Sequence, residues 1–216
     1  MAIKNKAVSS QGTHFYIEDS AAVVTPLTIT AITKAAQAVV SIASHGRVVG
    51  DVVKFAAVVG MTEINGLSGI VTATASGTIT VNIDSTAFTT YASAGTATPV
   101  AFIETCQHKS YSGFDGQASE IDTTTMCSTA KEKMLGLQDF GGMSADLHYV
   151  EDDAFQVAAM KAKADGVARW FRLVKKNGYS KLWQGIVRSF SDSGAVDGTN
   201  SGTLAVTITG EVVEVK

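Results

Sequence analysis

Apolar and polar positions along this chain follow a period of two far more often than a helical period. From Thr203 to Val213, Leu204, Val206 and Ile208 alternate with Thr203, Ala205, Thr207 and Thr209, which predicts a strand with one buried side and one solvated or partner-facing side. Extended segments are also expected over Thr13–Glu18, Val100–Gln107 and Gly142–Val150. Two further runs, Ala168–Lys175 and Tyr179–Ser189, flank Asn177-Gly178. That dipeptide accepts the positive φ of a primed hairpin turn, and Trp170, Phe171, Leu173, Leu182, Trp183 and Ile186 weight the core of the hairpin. One stretch has helical spacing: Phe155, Ala158, Ala159 and Ala162 fall at i, i+3, i+4 and i+7. Glu151-Asp152-Asp153 precede it as cap and dipole complement, and Gly166 stops it, so a helix is expected over Asp153–Ala164. Phe155, Trp170, Phe171 and Trp183 are the predicted core.

Between Thr28 and Thr98 the pattern changes. Five short β-branched runs (Thr28–Thr33, Val39–Ser44, Val52–Val58, Gly69–Ala75 and Thr78–Ile83) are separated by turn residues. Asn65-Gly66 and Ser76-Gly77 are tight-turn signals. These predict a barrel or sandwich of four to six strands. The stretch holds only six of the 37 charged residues, and Pro26 and Pro99, the only prolines, bracket it. Each proline biases its predecessor toward extended geometry, as where a chain leaves one domain and returns to it. The expected organisation is therefore a discontinuous domain of residues 1–27 and 99–216 with a β-module, 28–98, inserted. Within the outer part, Gly113–Ala130 reads as a long polar loop carrying single apolar residues, Phe114, Ile121 and Met126. Such a segment is either a plain surface loop or a set of anchors ordered by a partner.

Composition narrows the chemistry. With 216 residues, 45% of them hydrophobic, the chain buries a core, and 20 glycines with 2 prolines favour strands and turns. The net charge of −3 lacks the positive field of a dedicated nucleic-acid binder. Met1–Lys6 runs into polar residues without an apolar signal core, and the most apolar window, Val48–Met61, is too short to span a bilayer. Cytoplasmic synthesis without membrane insertion is the expectation. Cys106 and Cys127 read as free thiols, and together with His108 and His148 they lack zinc-knuckle spacing. Phosphate-loop, nucleophile-elbow and His-Glu-x-x-His patterns are absent from the sequence. No enzyme activity, catalytic residue, metal or cofactor is expected. Trp170 and Trp183 read as core, with a sugar-stacking platform as the alternative.

The order of elements from about Gly113 to Val213 resembles a phage tail tube protein, the major tube subunit of long, flexible, non-contractile tails. The residues that carry the resemblance are Met126–Lys133, Gly142–Leu147, Asp153-Ala154-Phe155 and Trp183–Val187. The inserted stretch resembles the first catalytic cysteine half-domain of ubiquitin-activating enzymes in its phage-borne form. His45-Gly46, Gly50–Val53, Gly60–Gly66 and Asp84–Tyr91 followed by Gly95 carry that likeness. Residues 28–98 contain no cysteine, so ubiquitin chemistry is not implied.

The tail-tube resemblance implies a mainly β fold: a β-sandwich or barrel with one flanking α-helix, plus the inserted small all-β domain projecting outward. Six copies would close into a ring by sheet-edge pairing, and rings would stack into a hollow tube that delivers the genome, DNA passing without specific binding. Tape measure, tail terminator and tail tip proteins are the further partners, and the location is the virion after assembly in the host cytoplasm. On this view Phe114, Ile121, Asp122 and Met126 contact the next ring, and Glu120, Asp122 and Asp139 are candidate acidic residues of the bore. The module is a spare part whose deletion leaves tube formation intact. The competing reading is a surface or glycan-binding β-sandwich of a minor tail or adhesion protein.

Overall fold

A computed structural model describes residues 9–216, so Met1–Lys6 lie outside the described residues. The fold is mainly β, with one α-helix. Its larger sheet is antiparallel. Strands β1 (His14–Glu18), β9 (Phe102–Thr105), β10 (His108–Gly113), β13 (Gly142–His148), β14 (Arg169–Val174), β15 (Ser180–Phe190) and β16 (Ser201–Ile208) stand in the order β10-β13-β16-β15-β14-β1-β9, and β17 (Val213–Val215) pairs with β15 beyond the end of β16. The edge strands β9 and β10 are consecutive in the chain, joined by Cys106 and Gln107 alone. One bent segment thus serves both edges, and the sheet must curl to accommodate it.

The helix α1 (Ala154–Asp165) packs into the curl. Asp153 caps it, its Oδ1 accepting from the Gln156 N–H at 3.0 Å, and Gly166 ends it in the left-handed region at φ 64°. Phe155, Ala159 and Ala162 are buried as their spacing predicts, whereas Ala158 is only half-buried. The fourth buried helical residue is Gln156, whose amide accepts from Val150 N at 3.1 Å and donates to the His148 carbonyl at 2.8 Å. Those bonds offset the cost of burying a polar group. Phe15, Phe155, Phe171 and Trp183 form an aromatic cluster with ring centroids 5.0–6.1 Å apart. Phe155, Phe171 and Trp183 are fully buried in this cluster. Trp170 is also buried, but on the opposite face of the sheet.

The smaller sheet is a closed barrel. Its strands are β2 (Leu27–Thr28), β3 (Ala31–Ile32), β4 (Ala38–Ser41), β5 (Val52–Val59), β6 (Ser68–Ala75), β7 (Thr78–Val81) and β8 (Ser93–Pro99), in the order β2-β8-β5-β6-β7-β4-β3. The end strands again belong to one stretch of chain. Ile29 N donates to Gly95 O at 3.1 Å and Thr30 N to Ser41 O at 2.9 Å, so the segment from Leu27 to Ile32 seals the wall on both sides. The barrel has its own core, from Ile29 to Ala97. Strand β8 escapes the sequence pattern because Ser93-Ala94-Gly95-Thr96-Ala97-Thr98 offers small residues and Pro99 ends it. Pro99 nevertheless pairs with Val53 as the last residue of that strand.

Two turns depart from expectation. At Asn65-Gly66 the backbone angles (Asn65 φ −64°, ψ 130°; Gly66 φ 85°) and the Leu67 N–H to Ile64 O bond of 3.1 Å define a type II turn after the short 3-10 helix Thr62–Ile64. At Asn177-Gly178 only Gly178 is left-handed, at φ 85°, and Lys175 N donates to Tyr179 O at 2.8 Å. The longer loop therefore ends in a glycine bulge rather than being a two-residue primed turn. Glycine is required in both places; the hairpin follows, the turn type does not.

Candidate assembly site

The segment expected as a long loop is half of a β-hairpin. Strand β11 (Ala118–Asp122) pairs with β12 (Lys133–Gln138), and with no other strand among the described residues. The register sets Glu120 opposite Leu135, Ile121 opposite Met134 and Asp122 opposite Lys133. Alternation then places Ile121 and Met134 on one face of this arm, and Glu120, Asp122, Lys133 and Leu135 on the other. Ile121, Met134, Leu135 and Leu137 are exposed, Leu137 at 90% of its maximum, and Met126 stands fully open on the connecting turn. An ion pair between Lys133 and Glu120 crosses the arm. Asp122 is held below the usual carboxylate range by hydrogen bonds from the Thr124 hydroxyl and backbone. Sequence reading found Ile121 and Met126 but not β12, because Lys133-Met134-Leu135-Gly136-Leu137-Gln138 has no clean alternation.

The arm springs from a rigid root. Gly113 has φ 118°, and a Cβ there would lie 2.2 Å from the Gly142 carbonyl oxygen, so only glycine permits this approach. The next residue corrects an expectation. Phe114 is not an open anchor: its ring meets Trp183 edge-on at 4.9 Å and lies under Lys181 Nζ at 4.8 Å. Phe114 belongs to the core margin. Asp139, at the far side of the root, caps its own turn by accepting from Gly141 N at 2.8 Å.

Next to the root lies a broad polar sheet face. Ser110 and Ser112 of β10, Ser144 and Asp146 of β13, and Thr203, Ala205 and Thr207 of β16 point away from the core, in register. The Ser110 hydroxyl donates to Asp146 at 2.8 Å and that of Thr203 at 2.9 Å. They hold the Asp146 carboxyl below the usual range. Sequence reading passed over Asp146. The period-two pattern of Gly142–His148, with Ser144 and Asp146 between Met143, Ala145 and Leu147, is the signal that marks it. Glu120 and Asp122 stand on the arm, away from this face.

The same outward side of the sheet is apolar further along, and there the barrel sits. Val52 and Ile70 of the barrel bury themselves against Trp170 and Leu182. Glu18, only 6% exposed, bridges the two parts. It accepts from Trp170 N at 3.1 Å with one oxygen and pairs with Lys54 of the barrel through the other. Trp170 at 7% and Trp183 at 0% exposure leave no open indole for a sugar platform. Cys106, His108, Cys127 and His148 do not converge. Among the described residues no group of three or more His, Cys, Asp or Glu is placed to hold a metal, and no helix is long and apolar enough to cross a membrane.

Comparison with known proteins gives two kinds of similarity. Residues 36–101 match the family model described as the ubiquitin-activating enzyme E1 FCCH domain, the family that the sequence of this stretch resembles. No curated protein matches the chain. Among solved structures, the chain is similar to the tail of an empty gene transfer agent particle refined with C6 symmetry (TM-score 0.45, 18% identity, 53% of this chain and 87% of that one). It is equally similar to a chain in the virion of a native gene transfer agent particle (TM-score 0.45, 18% identity, 53% of this chain and 89% of that one).

Proposed function

We propose that this chain is a structural tail protein of a phage-like particle, the tube subunit whose copies form rings that stack into a conduit. The observation that carries the reading is the arm. A two-stranded hairpin that pairs with no other strand among the described residues, yet exposes Ile121, Met126, Met134, Leu135 and Leu137, is an apolar element without a core to cover it. Isolated hairpins are marginal in water and gain stability when a neighbouring subunit covers them. The tail-tube resemblance of Gly113–Val213 supplies the kind of neighbour: a further copy of the same chain.

In this reading the arm reaches the next ring, and the polar face of β10, β13 and β16 lines the bore. Asp146 is then the acidic residue presented to passing DNA, where negative charge repels phosphate and leaves the genome unbound. The subunit acts by shape and self-association, with no catalysis and no cofactor. Because the sheet curls, its outward side at β14 turns away from that at β10 and β13, which leaves the barrel on the outside of the ring. The glycan-binding alternative needs an open tryptophan, and both indoles are packed. Negative-stain electron microscopy of the concentrated protein, with sedimentation of the soluble fraction, tests the proposal. Stacked rings with a central hole and lateral bumps are expected. A protein that stays monomeric alone, and also when seeded with preformed tail tips, overturns it.

A further inference from the structure

The barrel is joined to the large sheet by more than its two connecting segments, 19–26 and 100–101. On the sheet side the junction presents Trp170 and Leu182, both buried, and on the barrel side Val52 and Ile70, both buried. A third element closes it. Strand β17 pairs with the first part of β15 (Leu182 with Val213, Lys181 with Glu214, Ser180 with Val215), and the side chains of Val213 and Val215 pack on the same cluster. Val215 reaches over to the barrel itself. A Cβ added at Gly50 would lie 3.2 Å from Val215 Cγ2, so the barrel loop before β5 comes close against this valine. The outward residue between them, Glu214, is tied to the sheet by Lys181 Nζ at 2.9 Å. Glu18 adds a polar pin, a nearly buried carboxylate whose two oxygens are committed to opposite sides of the junction.

Continuity of the backbone has the same effect. After Pro99 pairs with Val53, Val100 N donates to Val52 O at 2.8 Å, and Asp19 N then donates to Ala101 O at 2.8 Å. The chain passes from barrel wall to large sheet without leaving hydrogen-bonded structure.

We infer that β17 is a clamp that fixes the barrel on the large sheet, so that the two tumble and unfold as one body instead of as a core with a tethered bead. The apolar contact is contributed from barrel, sheet and β17, and Val213 and Val215 meet it from a short strand paired with β15 alone among the described residues. Removing its grip leaves barrel and sheet each with an intact core of its own, connected by two chain segments. This arrangement is intramolecular and stands whether or not the chain forms tubes.

The test is backbone amide relaxation by NMR on the soluble full-length chain, with tryptophan quenching as a second readout. For the unaltered protein, amides of the barrel and of the large sheet are expected to report one common tumbling time, and acrylamide is expected to reach neither tryptophan. In Val215→Asp the two sets of amides are expected to separate into two tumbling times. Trp170 then becomes open to acrylamide with a red-shifted emission while Trp183 stays protected, and Val215→Ile keeps the unaltered behaviour. Independent tumbling in the unaltered protein overturns the inference, whatever the variant does. A Val215→Asp protein with a single tumbling time and both tryptophans still protected overturns it too. If Val215→Asp fails to fold, Glu18→Gln combined with Val213→Ala weakens the same junction by milder means, and the same two readouts decide.

Discussion

At the scale of single residues, Phe114 and Asp146 show how neighbours change the meaning of a side chain. Phe114 sits in a run of polar residues and has the profile of an exposed anchor, yet its ring fills the edge of the Trp183 cluster at a left-handed φ of 63°. Phe114→Asp is therefore expected to destabilise the monomer by about 2 kcal/mol, roughly half the cost of emptying a fully buried phenylalanine site. Urea unfolding monitored by tryptophan fluorescence checks this, and an unchanged midpoint would return Phe114 to the surface. Asp146 is stabilised in its charged form by the hydroxyls of Ser110 and Thr203. Because its folded pKa lies below its unfolded value, its contribution is complete above the ordinary aspartate range. It is lost as pH falls through the lowered folded value. Ser110→Ala is expected to raise that value, seen as an upward shift of the Asp146 carboxyl titration by NMR, and to shrink the acid-side loss of melting temperature below about pH 4.

At the scale of elements, the arm β11–β12 separates folding from association. Ile121 and Leu135 lie on opposite faces of a hairpin that packs on no core, so charging both leaves the monomer intact. Ile121→Asp with Leu135→Asp is expected to shift melting by less than about 2 °C, the range of an ordinary surface change. The same protein is expected to fail to form tubes that the unaltered chain forms. Tubes of ordinary length from this variant would remove the arm from the stacking contact. The helix shows a different dependence on context: its caps and alanine face are local and appear in the sequence, but Gln156 is buried because a single carbonyl and a single amide near His148 and Val150 need it.

On the whole-molecule scale, the barrel is less dispensable than its separate core implies. Deleting residues 28–98 removes Val52, Ile70 and Lys54 together. It leaves Trp170 and Leu182 uncovered and Glu18 without its cation, and a buried carboxylate stripped of its partner is costly. The joined protein is expected to lose solubility, measured as the soluble fraction on expression. Its solubility is expected to return when Glu18→Gln, Trp170→Thr and Leu182→Thr accompany the deletion. A soluble deletion without those changes would show that the junction contributes little.

Features that depend on neighbours in the chain were legible before the fold was known. Period-two alternation together with short β-branched runs marked most strands, an acidic cap and Gly166 set the helix, and glycines fixed the two sharp turns even where the turn type differed. The low charge and short β-branched runs of the middle stretch also announced a β-unit with a core of its own. Features that depend on distant pairing emerged with the folded chain. Strand β8 forms from small residues because β2 and β5 flank it, and β12 exists because β11 lies beside it. The two sides of the Asn177-Gly178 hairpin carry tryptophans to opposite faces, one to the aromatic core and one to the barrel junction. Whether an apolar side chain in a polar run is an anchor or a plug depends on what folds back over it. For Phe114 that partner lies 69 residues away, at Trp183, beyond the reach of any local pattern.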